Sequence, residues 1–264
     1  MLSNDQCFFE GDTERNVLEE LKVIPRQNPT RTKDEGGKSK INERIKNTLG
    51  PNLGSENVRC LILRDLDSHD NETSAAIRQS VIDCFKNLFR ERGFDEKLVA
   101  LNAHEKFPNL YLFETKIPDI KVALHIAENK YLAHFKNSTI DDYVLDLALR
   151  AETVQQLIAD KRDIRKKEFL ACLPEVKNED EATKIGKVAQ AIIKKVVEEI
   201  PELLRKNNFP EIKEAKQYLQ FYAAIVREPK SPSVLAKDII KSASDLDKET
   251  VLAPLFAAIQ FISE

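Results

Sequence analysis

The sequence predicts an α/β layer, a mostly parallel sheet flanked by helices, followed by an all-helical C-terminal module. Three observations predict it. The apolar runs Gln6 to Phe9 and Val58 to Leu63 are continuous and stop at carboxylates, as buried parallel strands do where they leave a sheet. Segments of helical periodicity lie between and after them, so strand and helix alternate through the first half. From Thr139 onward the strand signal ceases and only helical patterns remain.

The elements follow in order. After the first strand, Thr13 to Lys22 carries Val17, Leu18 and Leu21 on one helical face, with Thr13 as the expected N-cap. Arg26 to Lys40 is polar, holds Pro29, Gly36 and Gly37, and reads as a loop. Ile41 to Leu49 is helical and ends at Gly50-Pro51. Thr73 to Arg92 spaces Ile77, Val81, Cys84, Phe85 and Leu88 by three or four, and Gly93 closes it. Leu98 to Leu101, Leu110 to Glu114 and Val122 to Ile126 read as further strands. Ile140 to Asp160 is helical. Ala182 to Lys206 is a long amphipathic helix that Pro201 can kink or divide. Ile212 to Arg227, Ser233 to Ser244 and Thr250 to Ile262 complete the module. The boundary is expected near residue 138, giving domains 1–138 and 139–264.

Composition limits the function classes. Hydrophobic residues at 42% and charged residues at 32% suit a packed globular chain rather than a disordered one. No apolar run approaches the roughly 18 residues of a membrane helix. The start lacks a basic stretch followed by an apolar one, so no signal peptide and a cytoplasmic location are expected. With 41 basic and 44 acidic residues the net charge is -3, so nucleic acid would be bound through local basic patches and metal, not through overall charge. The four cysteines, Cys7, Cys60, Cys84 and Cys172, are dispersed without a CxxC pair, and read as reduced, small apolar residues.

The chemistry concentrates at the strand ends. Glu10 follows the first strand, and Asp65 and Asp67 follow Cys60-Leu-Ile-Leu-Arg. Residues two apart on a strand share a side, so Asp65 and Asp67 repel unless a cation lies between them. Three hard oxygen ligands at one sheet edge suit Mg²⁺ or Mn²⁺, which supports phosphate chemistry. Aspartates also favour turns, so the pair can simply end a strand. Gly11 would let the backbone turn tightly beside a metal. Gly36-Gly37-Lys38 offers backbone amides and a charge to a phosphate, or is a solvated polar loop. Asp141 and Asp142 start a helix, where they meet its dipole whether or not they bind metal. Lys161, Arg162, Arg165, Lys166 and Lys167 form the best nucleic-acid patch, with a solvated helix face as the alternative. His69 follows Asp67 closely and could reach a phosphate, whereas His125 sits in an apolar strand and reads as core.

Phe8-Phe9-Glu10-Gly11-x-Thr13-Glu14, followed by Asp65-Leu66-Asp67 after another strand, resembles the TOPRIM domain of topoisomerases, primases and OLD-type nucleases. The resemblance covers about residues 5 to 145, and the stretch from about 175 to 230 matches nothing in it. Ser138-Thr-Ile-Asp141-Asp142 and Leu252-Ala-Pro-Leu-Phe are similar to elements of small stand-alone TOPRIM proteins, some of which serve in anti-phage defence beside an ATPase. The resemblance implies metal held by Asp65 and Asp67, with Asp141 at the family's acidic position. It also implies Glu10 as metal ligand or general acid/base and Lys38 steadying a phosphate. A nuclease acting on DNA or RNA is therefore expected, with a partner ATPase or a second copy as candidate partners. The competing expectation is a non-catalytic TOPRIM scaffold that mediates assembly. A primase lacks support, since no zinc-binding or second polymerase element is present.

Overall fold

A computed structural model describes residues 2, 6–26, 40–67, 71–161, 163–171, 179–226 and 230–264. The chain divides into two compact units. One comprises residues 1–129, 137–140 and 252–264, the other residues 130–136 and 141–251. The last helix thus belongs with the sheet, not with the helical module in which the sequence reading put it.

Among the described residues the first unit is built on five strands: β1 (Cys7–Phe8), β2 (Val58–Asp65), β3 (Asn102–Ala103), β4 (Leu110–Lys116) and β5 (Asp119–Ala127). Their order is β1-β2-β5-β4-β3. β1 on β2 and β2 on β5 are parallel, whereas β4 pairs antiparallel with both β5 and β3. The sheet is therefore mixed, where a mostly parallel one was expected. The reason lies in the β4–β5 connection. Lys116 pairs with Asp119 across Ile117-Pro118, and so short a link can join only antiparallel neighbours.

Residues Leu98 to Leu101, expected as a strand, begin instead as a short 3₁₀ turn, Glu96–Leu98. Val99 and Leu101 are buried, which explains the strand-like pattern, but the Leu101 carbonyl accepts from the Arg78 guanidinium instead of a strand partner.

Helices α1 (Asp12–Glu20), α2 (Ile41–Leu49) and α3 (Ser74–Glu91) connect these strands. Thr73 caps α3 by accepting from the Ala76 amide at 3.1 Å. Gly93, at φ +76°, ends it in the left-handed conformation. α1 starts one residue earlier than expected. Gly11 is its N-cap and Thr13 lies inside the helix.

The α2 and α3 stripes bury Ile41, Ile45, Ile77, Val81, Phe85 and Phe89 against Phe8, Cys60, Ile62, Phe113 and Val122. Phe113 sits 5.9 Å from Phe89 and 6.3 Å from Phe85, ring centre to ring centre. Cys7, Cys60 and Cys84 are buried thiols whose burial raises their pKa, to about 12 for Cys7 and about 11 for Cys84. That accords with the apolar role read from the sequence, while Cys172 lies outside the described residues.

Gly54 has φ +92°, and an added Cβ would come within 2.5 Å of the Phe94 ring. Gly54→Ala is expected to cost about 1–3 kcal/mol, through left-handed backbone strain and displacement of that ring. Urea denaturation checks this, and a loss below about 0.5 kcal/mol would contradict it.

The second unit holds most of α4 (Ile140–Ala148), then α5 (Ala151–Ala159), α6 (Asp163–Leu170), α7 (Glu181–Lys194), α8 (Ile200–Lys206), α9 (Ala215–Ile225), α10 (Pro232–Ser242) and α11 (Asp245–Val251). The long helix expected from Ala182 to Lys206 is present, but residues Lys195–Glu199 widen into a π turn. Pro201 has no amide hydrogen, and its ring crowds the carbonyl four residues back; the wider turn relieves both. α12 (Ala253–Ser263) returns to the first unit and packs on β5, β2 and β4.

Candidate functional site

β1 and β2 run side by side, with Cys7 level with Leu61 and Phe8 level with Ile62. Both strands therefore point toward the same sheet edge. Glu10 lies two residues beyond β1, and Asp65 is the last residue of β2. Both acidic strand ends singled out in the sequence lie along that edge, the carboxyl edge where parallel sheets commonly bind ligands.

The partners of these acids were not foreseen. Glu10 Oε1 accepts from Arg64 Nε, and Arg64 reaches Glu72 Oε1 at 3.0 Å. The Arg64 side chain is only 6% exposed, and those of Glu10 and Glu72 are 11% and 22% exposed. A guanidinium that deeply buried needs carboxylate partners, and one on each side supplies them. The signal was available, because Arg64 is a charged residue that directly follows the buried apolar run Cys60-Leu61-Ile62-Leu63.

Side chains alternate along β2, so Asp65 points to the opposite face from Arg64. There its Oδ1 accepts from the Ile140 amide at 2.9 Å. Leu66 and Ser138 exchange both backbone hydrogen bonds, at 2.8 and 3.0 Å, which extends the strand past Asp65. Asp65 thus satisfies an amide at the start of α4, as a capping carboxylate does. Asp67 is half-buried, and its carbonyl accepts from the Glu72 amide at 3.4 Å.

Two further cations border the end of β1. Arg44 lies 5.8 Å from the centre of the Phe8 ring and donates to the Phe9 carbonyl at 3.4 Å. Arg15 lies 5.6 Å from the centre of the Phe9 ring. Helix α1 also buries the polar side chains Thr13, Glu14, Asn16 and Glu19. A Cβ on Gly11 would sit 3.2 Å from the Glu14 carboxylate. A side chain there would require the Glu14 carboxylate to shift slightly, and no unusual turn is involved, since the Gly11 φ of -148° is open to any residue. The expectation of a glycine-dependent tight turn is corrected accordingly.

The donor set matches a hard dication in kind, because Glu10, Asp65 and Asp67 offer only oxygen. In arrangement, the described residues gather no group of three or more His, Cys, Asp or Glu side chains around one point that could hold a metal ion. One oxygen of Glu10 is engaged by Arg64 and one of Asp65 by Ile140. Among the described residues, Glu10, Asp65 and Asp67 therefore do not form a converged cation cage.

The other expected site residues separate. Gly36, Gly37, Lys38 and His69 lie outside the described residues, as does Arg162. Asp141 and Asp142 fall in the first turn of α4, within the second unit, and are buried. Asp142 Oδ1 accepts from the Tyr131 amide at 2.8 Å and so ties down the segment before the helix.

In the basic patch, Lys166 pairs with Glu181 at 3.3 Å, and Lys161 lies 5.1 Å from the centre of the Phe169 ring. Arg165 and Lys167 are exposed. His125 is buried, as its apolar strand implied. Its Nε2 lies 3.3 Å from Asn109 Nδ2, which also donates to the Ile126 carbonyl at 3.0 Å.

Comparisons with protein-family models, with curated proteins and with solved structures found no match. Among the described residues no helix is long and apolar enough to cross a membrane.

Proposed function

We propose that the first unit is a TOPRIM-type, metal-dependent phosphodiesterase acting on nucleic acid. The observation that supports this reading is the parallel register of β1 on β2, through which two acidic strand ends share one sheet edge. In this reading Asp65 and Asp67 would hold Mg²⁺ or Mn²⁺, which when bound supplies Lewis-acid stabilisation of a phosphoryl oxygen. Glu10 would accept the proton of the attacking water. Arg64, held between Glu10 and Glu72, would orient that carboxylate. Lys38 would steady the phosphate. Lys161, Arg165, Lys166 and Lys167 would add backbone contacts to the nucleic acid. The net charge of -3 weakens long-range attraction to such a substrate. Action beside a partner ATPase in anti-phage defence, or as a homo-oligomer, belongs to the same proposal.

A second reading, a non-catalytic scaffold, is favoured by one specific observation. Arg64 and the Ile140 amide already take up oxygens of Glu10 and Asp65 as internal supports. Cleavage of supercoiled plasmid and of RNA in Mg²⁺ and in Mn²⁺ separates the two. Glu10→Ala would also strip Arg64 of a partner, so Glu10→Gln and Asp67→Ala are the better variants. The enzyme reading expects each to lose about 10²–10⁴-fold in cleavage rate while melting within a few degrees of the parent. Absence of cleavage in either metal, alone or with a co-purified partner, would leave the scaffold.

A further inference from the structure

On the side of the sheet away from β1, part of β4 runs beyond its neighbour. β3 pairs with β4 only where Asn102 is level with Leu112 and Ala103 with Tyr111. Ahead of Asn102 the chain is no longer a strand, and the Leu101 carbonyl turns to the Arg78 guanidinium. Two hydrogen bonds fix which way the rest of β4 faces. The His104 amide donates to the Leu110 carbonyl at 2.8 Å, and the Ile126 amide donates to the Asn109 carbonyl at 2.9 Å. Backbone groups alternate along a strand, and the β4–β5 register is unbroken from Leu110 to Lys116. The N–H and C=O groups of Glu114 and Lys116 therefore point outward, past the end of β3. Among the described residues, neither has a strand partner on that side.

Leu98, 46% exposed, and Ile117, 77% exposed, are the large apolar side chains that the described residues of the first unit leave open to solvent. Both border this stretch, lining one concavity with Glu114, Thr115 and Lys116. Glu114 and Lys116 are themselves exposed. Glu114 lies 3.9 Å from Lys121 with its side chain 63% exposed, which leaves room for a second cation.

The charges select one occupant and one register. A second copy, antiparallel and related by a two-fold axis at Thr115, sets Glu114 of each chain opposite Lys116 of the other. Both residues point outward, so each such pair exchanges both backbone hydrogen bonds. An axis at Glu114 or at Lys116 would set like charges face to face, and so would an in-register parallel copy. A lysine commonly guards a sheet edge against stray strands; here it complements a second copy in this register alone. The same axis carries Ile117 of each copy toward Leu98 of the other and covers apolar surface. We infer that the chain self-associates by pairing β4 of two copies across this edge, antiparallel and centred on Thr115. The surface stands independently of the strand-end carboxylates and their proposed chemistry.

Sedimentation equilibrium of the full chain over about 1–200 μM tests it. The paired stretch is short, so a monomer–dimer equilibrium with a Kd of about 10–100 μM is expected. Glu114→Lys sets lysine opposite lysine and should weaken dimerisation about tenfold or more, as should Lys116→Glu. The swap Glu114→Lys/Lys116→Glu restores both pairs and should recover it. Circular dichroism confirms that each variant is folded. Residues facing each other at a non-hydrogen-bonded position have Cα atoms about 4.5 Å apart, which suits a disulfide. Thr115→Cys in a Cys172→Ser background should therefore form a covalent dimer on mild oxidation, and Glu105→Cys in the same background should not. A chain that stays monomeric throughout the range overturns the inference. So does a dimer indifferent to both single variants, or one that the swap fails to recover. Cross-linking of Glu105→Cys as readily as Thr115→Cys overturns it equally.

Discussion

Arg64→Ala is expected to cost about 3 kcal/mol of folding stability, more than most substitutions elsewhere in the sheet. The arginine is nearly buried, and its fork joins Glu10 to Glu72. Removing it deprives two partly buried carboxylates of the guanidinium that joins them. Breaking a buried pair by deleting one partner typically costs about 3–5 kcal/mol. The lower end applies here, because Glu72 retains contact with water. Guanidinium denaturation of Arg64→Ala measures the loss, and the same substitution in a Glu10→Gln/Glu72→Gln background separates its causes. If uncompensated charge is responsible, neutralising both acids recovers most of the loss. If Arg64→Ala is equally destabilising in that background, packing of the arginine stem governs the effect and the electrostatic account fails.

Acid is expected to weaken the sheet unit through His125. Burial lowers its pKa from the ordinary 6.5 to about 4. The unfolded chain therefore binds a proton at His125 that the folded chain refuses between those values. The contribution is fully present above about pH 6.5, declines as pH falls through the window, and is lost near pH 4. A shift of this size corresponds to up to about 3 kcal/mol. Stability measured by urea at pH 7, 5.5 and 4 should fall across the series. His125→Gln, which keeps a polar group opposite Asn109, should show a shallower decline over the same range. Parallel slopes for the two proteins would remove His125 as the cause.

The sequence was most informative where burial and periodicity agree. β2 and α3 read clearly because long apolar patterns with capping residues have few competing conformations. The Glu10 and Asp65 strand ends were legible as a pair, yet their partners were not. Arg64 reaches Glu10 from 54 residues away, and Ile140 reaches Asp65 from 75 residues away. Such contacts depend on tertiary placement, which local spacing does not encode. The antiparallel half of the sheet was obscured because Pro118 interrupts what is in fact one hairpin.

The membership of α12 in the first unit carries a consequence for synthesis. The sheet's strands are all made by residue 127, yet the helix that lies on β5, β2 and β4 emerges only with residues 253–263. A nascent chain must keep that apolar surface unsealed while more than a hundred intervening residues leave the ribosome. The helical unit thus interrupts the sheet unit as an insertion, and a premature stop at residue 251 would yield a translation product that chaperones and proteases treat as unfinished.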